Sequence, residues 1–175
     1  LILSFVHTFD ATAAKADFLL GGYQINAQTS TDKTSLSNFG KATIRYSAFS
    51  KSRFGYTLGY SVYSLGVQSR DLGYGFNLGF VYFPFHNPSN VSYKKPDFQF
   101  KSFEPFRYSI GLAFHQRQFQ SIQSNYAGIG LENNFEYQLT EKYHAIGRIQ
   151  SIFLSGPAES SITEYSALLG VGLQI

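Results

Sequence analysis

The feature that most constrains this chain is a strict alternation of side chains. From residue 17 to the end, bulky apolar residues alternate with small or polar ones at a period of two. That period is typical of β-strands with two different faces, whereas a helix repeats its apolar positions about every 3.6 residues. The alternation predicts eight antiparallel strands, at 23–28, 41–48, 54–62, 71–82, 106–115, 127–137, 143–150 and 165–175.

The strand face that carries the small or polar residues, called the small face below, indicates whether the strands lie in water or in a membrane. A strand face turned to water usually carries charged residues and threonine, but here glycine dominates. Glycine weakens a strand unless chains or side chains must approach closely, as they do inside a narrow barrel. The bulky face carries tyrosine and phenylalanine, to which we assign Tyr23 and Ile25 of the first strand. Lipid accepts such a surface, so the pattern favours a closed transmembrane β-barrel over a soluble β-sandwich or ligand-binding barrel.

Composition excludes several other classes. The 175 residues contain no cysteine, and only 14% are charged, giving a net charge of +3. Neither a disulfide framework nor a nucleic-acid-binding surface is indicated. No stretch of 18 apolar residues is present, which excludes a transmembrane helix. The histidines are isolated and no dinucleotide motif occurs, so we predict no metal and no cofactor.

The first residues differ from the remainder. Residues 1–16 begin with an apolar run and end with Ala14-Lys15-Ala16, which fits a small-residue cleavage signal. We interpret them as a signal-peptide remnant or an N-terminal arm and leave them out of the strand count. The barrel domain is then predicted at 17–175.

Charged residues on the small face are predicted to point into the barrel. Neighbouring strands place Glu132 and Glu136 between Arg107 and Arg148. We favour a structural ion-pair network that plugs a narrow barrel over a charged relay or selectivity ring. The predicted lumen network comprises Lys41, Arg45, Asp71, Arg107, His115, Glu132, Glu136, His144 and Arg148.

One connection interrupts the regular ladder. Residues 84–105 hold four of the five prolines, and such long links inside compact domains are usually functional. Counting strands puts this link on the same rim as the tight turns near 50 and 141. Phe98 and Phe100 continue the register of the fifth strand, which predicts that this strand extends beyond the membrane. We expect four residues to contact a neighbouring barrel, forming a homo-oligomer, to lie among lipid headgroups, or simply to cover the barrel mouth: Phe85, Phe98, Phe100 and Phe103.

The end of the chain carries a family resemblance. Residues 165–175, YSALLGVGLQI, resemble the signal that ends bacterial outer-membrane barrels, although the last residue is Ile175 and not phenylalanine. With eight predicted strands, 17–175 resembles the small Gram-negative outer-membrane barrels of the OmpA-barrel, OmpX and OmpW type. The resemblance implies a multi-pass barrel in the outer membrane, contact with its lipid, both chain ends in the periplasm, and insertion by the barrel-assembly machinery.

These observations predict a structural, interaction or porin-like small-solute role. A lipid-modifying barrel enzyme is the alternative, since some small outer-membrane barrels modify lipid A through a Ser/His/acid group. A close His/Ser pair is formed by His86 and Ser89, in a spacing that differs from the His-x-Ser-Asn of the lipid A deacylases. No carboxylate is near in sequence to orient His86, so we predict no catalytic residue.

Overall fold

Eight long strands form a closed barrel in the computed structural model, which describes residues 13–29, 32–49, 53–64, 72–85, 91–95, 98–102, 105–119 and 124–175. The strands are β1 (Ala13–Gln28), β2 (Lys33–Phe49), β3 (Phe54–Ser64), β4 (Leu72–Tyr82), β5 (Val91–Lys95), β6 (Phe98–Ser102), β7 (Phe106–Phe119), β8 (Ser124–Gln138), β9 (Tyr143–Ser155) and β10 (Ser161–Gln174). The barrel order is β1-β10-β9-β8-β7-β4-β3-β2, and β5 pairs only with β6 as a separate two-stranded sheet. The predicted all-β, eight-stranded antiparallel barrel is therefore confirmed.

Antiparallel ladders run around the whole barrel. β1 closes it by pairing with β10 from Lys15↔Gln174 to Gln28↔Ser161. The ladder between β1 and β2 shifts register between Gly21 and Gly22. Because the barrel is closed, every barrel strand pairs with another strand on each of its two sides. A sheet that spans lipid must have no such open edge. Among the described residues there is no helix long and apolar enough to cross a membrane.

The two ends of the barrel differ in their connections. The chain-end rim is the end where β1 begins and β10 finishes, and it also carries the links 50–53, 83–105 and 139–142. The opposite rim carries the links 29–32, 65–71, 120–123 and 156–160. The long Pro-rich link is thus on the rim predicted for it.

Large apolar side chains cover the outside of the wall. Each barrel strand contributes exposed ones, for example Phe18, Ile44, Leu58, Phe80, Leu112, Ile129, Ile149 and Leu169. Nearly every inward position is buried, including the glycines of β3 and β4. An apolar exterior around a polar interior is the reverse of a water-soluble domain and is typical of a transmembrane barrel.

Three expectations about the strands are wrong. β1 begins at Ala13, so residues 13–16 are part of the barrel wall and not of a separate arm. Tyr23 and Ile25 are buried inside the barrel, because its interior becomes apolar toward the opposite rim. The fifth predicted strand, β7, does not extend back to Phe98 and Phe100, whose backbone forms β6. Pro105, which lacks an N–H donor, immediately precedes β7.

Candidate functional site: the interior charge network

The predicted lumen residues converge inside the barrel. All of them are buried except Asp71, which lies outside the described residues. The interior also holds four charged side chains that are absent from the predicted network: Lys15, Asp17, Arg117 and Glu164. The interior therefore holds a larger network than the sequence predicted.

A central cluster forms around Arg45 on β2. Its guanidinium donates to Oδ2 of Asp17 through both Nε, at 3.0 Å, and Nη2, at 2.8 Å. Nη1 reaches Oε2 of Glu132 at 3.2 Å, on the far side of the barrel. Arg148 approaches the same Glu132 oxygen at 3.8 Å, and Nε2 of His144 lies 3.0 Å from Oδ1 of Asp17. Buried charges in a membrane are stable only when they are paired in this way.

A second cluster lies nearer the opposite rim and is centred on Glu164. Its carboxylate pairs with Lys41, accepts from Nε of Arg117 at 3.4 Å and lies 3.2 Å from the Tyr63 hydroxyl. The Lys41 ammonium and the Arg117 guanidinium lie 5.1 Å and 5.2 Å from the Tyr63 ring centre, within cation–π range. Nδ1 of His115 is 3.1 Å from Nη2 of Arg117. One carboxylate thus holds two cations in place.

Gln150 on β9 joins the two clusters. Its amide nitrogen donates to Oε1 of Glu132 at 2.6 Å, and its carbonyl oxygen accepts from Nζ of Lys41 at 2.8 Å. Ser166 adds a hydrogen bond of 3.2 Å to the same oxygen. Because donors and acceptors are matched along this chain of contacts, the two clusters form one continuous network across the lumen.

A third contact closes the chain-end rim. Nζ of Lys15 lies 2.5 Å from Oε2 of Glu136 and 5.3 Å from the ring centres of both Phe49 and Phe83. Lys15 is on β1 and Glu136 on β8, so this ion pair also spans the interior. Arg107 lies directly opposite Glu136 in the β7–β8 ladder. The position of Glu136 beside Arg107 follows the sequence prediction, but its described ion pair is with Lys15.

Apolar clusters lie above and below the charges. Toward the chain-end rim, Phe49, Val81 and Phe83 pack together. Toward the opposite rim a larger cluster is formed by Tyr23, Ile25, Tyr63, Phe119, Tyr126, Ile152, Leu154 and Ile162. A third cluster, Leu19, Ile146 and Leu168, lies among the charges beside Arg148. Apolar clusters thus share the interior with the polar network, and the inward glycines make room for its long side chains.

The network carries more positive than negative charge. Six cationic and four carboxylate side chains are buried in the described part of the chain. Nη1 and Nη2 of Arg148 donate no hydrogen bond to any of these residues, although Nη2 lies 4.0 Å from Oδ2 of Asp17. The described residues contain no group of three or more side chains arranged to hold a metal ion.

The predicted rim contacts are only partly described. Phe85 is 73% exposed beside the chain-end rim. Phe103 lies outside the described residues, as do the side chains of Phe98 and Phe100. His86 and Ser89 also lie outside them.

Comparison with known proteins places the fold. The chain resembles Neisserial surface protein A, with a TM-score of 0.57 at 12% identity, covering 91% of this chain and 96% of that one. It also resembles the N-terminal β-barrel domain of Pseudomonas aeruginosa OprF, with a TM-score of 0.51 at 15% identity over 92% and 97% of the two chains. The Escherichia coli outer membrane protease OmpT matches with a TM-score of 0.43 at 10% identity, covering 95% and 97%. No family model and no curated sequence matches the chain.

The class of protein follows from these observations together. The chain has the fold of the small bacterial outer-membrane β-barrels, with an apolar outer belt and a charged, enclosed interior. The predicted outer-membrane location agrees with this fold and with the exposed apolar wall. At these identities the likeness concerns the fold alone.

Proposed function

We propose that this protein is a non-conducting outer-membrane barrel that acts through its exterior, as a structural or interaction protein. The observation that carries the proposal is the closed interior. Ion pairs and hydrogen bonds join β1, β2, β8, β9 and β10 across the lumen, and an apolar cluster lies toward each end. Eight-stranded barrels have an interior just wide enough for side chains to fill. The surfaces left for function are the lipid-facing wall and the two rims.

A porin-like small-solute role is the second candidate. Among the described residues, the excess of two buried positive charges and the Arg148 nitrogens without a hydrogen-bond partner favour water or small anions over cations inside the barrel. Passage would require Gln150 and its neighbours to give up paired hydrogen bonds in a buried site, at about 1–3 kcal/mol for each group left unsatisfied. For this reason we rank conduction below the closed-barrel role.

Catalysis is the least supported role. A hydrolytic triad requires a hydroxyl nucleophile hydrogen-bonded to a histidine that an acid orients. His144 has such an acid in Asp17, but its Nδ1 has no hydrogen-bond partner among the described residues. His115 contacts Arg117 and not a carboxylate. Both histidines are enclosed in the barrel, out of reach of a lipid substrate.

Single-channel recording in planar bilayers tests the proposal. We expect the folded wild-type protein to give no discrete current steps, because the network fills the lumen. Heat-modifiable gel mobility of the protein recovered from the bilayer-forming vesicles shows that it was folded and inserted. Discrete ion-selective steps from this inserted protein would overturn the closed-barrel proposal and establish the porin-like role.

A matched variant identifies the path if current is seen. Arg148→Gln removes one buried positive charge at the centre, while Arg53→Gln removes a charge from an exposed turn. Conduction through the lumen predicts that Arg148→Gln lowers anion selectivity and that Arg53→Gln leaves it unchanged. Equal selectivity in both variants would place the current outside the lumen, for example at a contact between barrels.

A further inference from the structure

A polar side chain lies in the middle of the apolar outer wall. Asn133 points outward from β8, and its neighbours along the strand and across the two adjacent ladders are exposed apolar residues: Leu131, Phe135, Ile110 and Ile149. Asn133 lies five positions before the last residue of β8, which is about 13 Å along the barrel axis for a strand tilted by about 40°. The apolar band of such barrels is ~25 Å tall, so this amide lies near the middle of the band.

The Asn133 amide is half satisfied within the described part of the chain. The Tyr108 hydroxyl donates to its Oδ1 at 2.6 Å, and the Tyr108 ring lies against Phe135 with 5.2 Å between ring centres. No described residue accepts a hydrogen bond from Nδ2 of Asn133. Exchanging the amide oxygen and nitrogen would leave the oxygen without a donor instead, because the Tyr108 hydroxyl meets one end only. Acyl chains offer neither donor nor acceptor, so the other end of the amide requires a protein group.

A hollow in the wall lies beside Asn133. It has a volume of about 380 Å³, and Gly147 and Ala145 on β9 form its floor between Phe135 and Leu169. Gly147 lies opposite Phe135 in one ladder and opposite Leu169 in the other. A Cβ at Gly147 would meet only Cδ2 of Leu169, at 3.5 Å. The absent side chain therefore leaves open space on the lipid side of the wall.

The strand register puts a protruding side chain at the height of this hollow, on the other side of β8. Following paired positions once around the barrel, from Asp17 through β2, β3, β4, β7, β8, β9 and β10, leads back to β1 at Ala27. Ala27 is ten residues (17 to 27) nearer the opposite rim, so each of the eight steps climbs by about 1.25 residues. The two steps from Ile110 on β7 to Ile149 on β9 climb by about 2.5 residues. Gly147 is therefore the outward position of β9 at the height of Ile110.

We propose that this face is a dimer interface within the membrane, occupied by a second copy of the chain. Two barrels inserted in the same direction are related by a two-fold axis along the membrane normal. An axis in front of β8 brings the Asn133 amides of the two copies together, and each Nδ2 then donates to the other Oδ1. The same rotation places Ile110 of each copy in the Gly147 hollow of the other. A second copy thus satisfies both features, because an amide is its own hydrogen-bonding complement.

The dimer names a partner for the proposed interaction role and rests on that role for its purpose. It needs no assignment of either rim to a side of the membrane, since the interface lies near the middle of the wall. Lipid around the barrel does not replace the second copy, because the unpaired end of the amide requires a hydrogen-bonding group at a depth where acyl chains have none.

Cross-linking in liposomes locates the interface. The chain has no cysteine, so a single introduced cysteine reports one position. Leu131→Cys lies next to Asn133 on β8, and Ile44→Cys is the matched control on β2, four strands away in either direction. Both positions are exposed on the outer wall. We expect a short bis-maleimide to join Leu131→Cys chains in pairs at least about tenfold faster than Ile44→Cys chains, because a dimer holds the first pair at high effective concentration.

Sedimentation equilibrium in density-matched micelles measures the dimer dissociation constant. Asn133→Leu keeps the approximate size of the side chain and removes both reciprocal hydrogen bonds, so we expect association about tenfold weaker. Gly147→Leu fills the hollow and should weaken association by a similar factor. Gly22→Leu is its control, at an outward glycine of β1 where a Cβ also meets its nearest neighbours at 3.5 Å, and should leave the constant unchanged. Heat-modifiable mobility identifies the folded variants.

Three results would overturn the proposal. A wild-type protein that remains a single chain at every concentration would leave Asn133 to a different protein. A dimer that persists in both Asn133→Leu and Gly147→Leu would place the contact elsewhere, for example at the link 84–105. Equal cross-linking of Leu131→Cys and Ile44→Cys would indicate random collision. Single-channel recording concerns the lumen alone, so failure of the closed-barrel role and failure of the dimer are read separately.

Discussion

The side-chain amide of Gln150 donates a hydrogen bond of 2.6 Å to Glu132, deep inside the barrel. The other end of the same amide accepts from Lys41 at 2.8 Å. An amide can satisfy an anion and a cation simultaneously because it is both donor and acceptor. Gln150 therefore connects the Asp17–Arg45 cluster to the Lys41–Glu164 cluster without adding a charge.

Replacing this amide tests the coupling. Gln150→Leu keeps the approximate size of the side chain but leaves Glu132 and Lys41 each without one buried partner. We expect the free energy of unfolding to fall by about 1–3 kcal/mol. Urea unfolding in micelles, followed by far-ultraviolet circular dichroism because the chain has no tryptophan, measures the change.

Gln116→Leu is the control for this variant. Gln116 is on β7 with its side chain exposed on the outer wall, so its replacement should change stability by no more than about 0.5 kcal/mol. If both variants lost the same free energy of unfolding, the Gln150 amide would not couple the two charged clusters.

The sequence predicted the parts of the barrel where alternation is uninterrupted. In most of β3 and β4, small residues such as Gly59 and Asn77 face inward and large ones such as Tyr60 and Phe76 face outward; Tyr63 and Val81, near the strand ends, are the exceptions. Apart from the β1–β10 pair that closes the barrel, each barrel strand pairs with the next barrel strand along the chain, and β4 pairs with β7 across the separate β5–β6 pair. Strand pairing also placed Glu132 near Arg148 correctly.

The errors have two physical causes. The size of a side chain does not by itself show whether it faces the lumen or the lipid. Tyr23 is large and faces inward, because that end of the lumen is filled by an apolar cluster. Arg117 and Glu164 were missed because one predicted strand ended before Arg117 and the last one began after Glu164, although both residues share the inward register of His115 and Ser166. Asp17 was left out of the predicted network although it lies inside the predicted domain.

The β5–β6 pair shows a further limit of sequence patterns. Its strands have five residues each, and the two are separated by Pro96 and Asp97. Proline-rich composition indicated a link, and the even spacing of Phe98 and Phe100 suggested continuity with the next strand. Alternation fixes the faces of a strand but does not identify its partner, so a separate hairpin could not be distinguished from an extended β7.

Gly172 tests the role of the inward glycines. A Cβ at this position would overlap the side chains of His144 and Asp17, which are hydrogen-bonded to each other. We expect Gly172→Ala to lower the free energy of unfolding by about 1–3 kcal/mol, since both partners must shift in a packed interior. The same urea titration measures it.

Gly147 provides the matched comparison in the wall. A Cβ there would meet only Cδ2 of Leu169, at 3.5 Å. Because glycine in a strand costs about 0.5–1 kcal/mol relative to alanine, Gly147→Ala should leave stability unchanged or increase it. A loss of stability in Gly147→Ala equal to that in Gly172→Ala would refute the claim that glycine is needed inside to make room for the network.

The Pro-rich link carries the remaining sequence prediction, that the protein assembles with copies of itself. The link lies on the chain-end rim, where Phe85 is strongly exposed, and apolar surface left in water costs about 25 cal/mol per Å². If Phe98 and Phe100 cover a neighbouring barrel, the double variant Phe98→Ser/Phe100→Ser should reduce the assembly to single chains. Size-exclusion chromatography with light scattering in micelles gives the protein mass after subtraction of detergent.

A control variant on the outer wall, away from the link, shows whether a change in mass comes from the rim contact or from a general loss of aromatic surface. Tyr60 and Phe76 lie opposite each other on the outer wall of β3 and β4. Their replacement by serine removes comparable aromatic area without touching the link, so we expect the mass of that variant to equal the wild-type mass. A wild-type mass of one chain, or a mass unchanged by the Phe98/Phe100 double variant, would exclude the link as an interface between barrels. The headgroup layer and the barrel mouth would then remain as the settings predicted for these two phenylalanines.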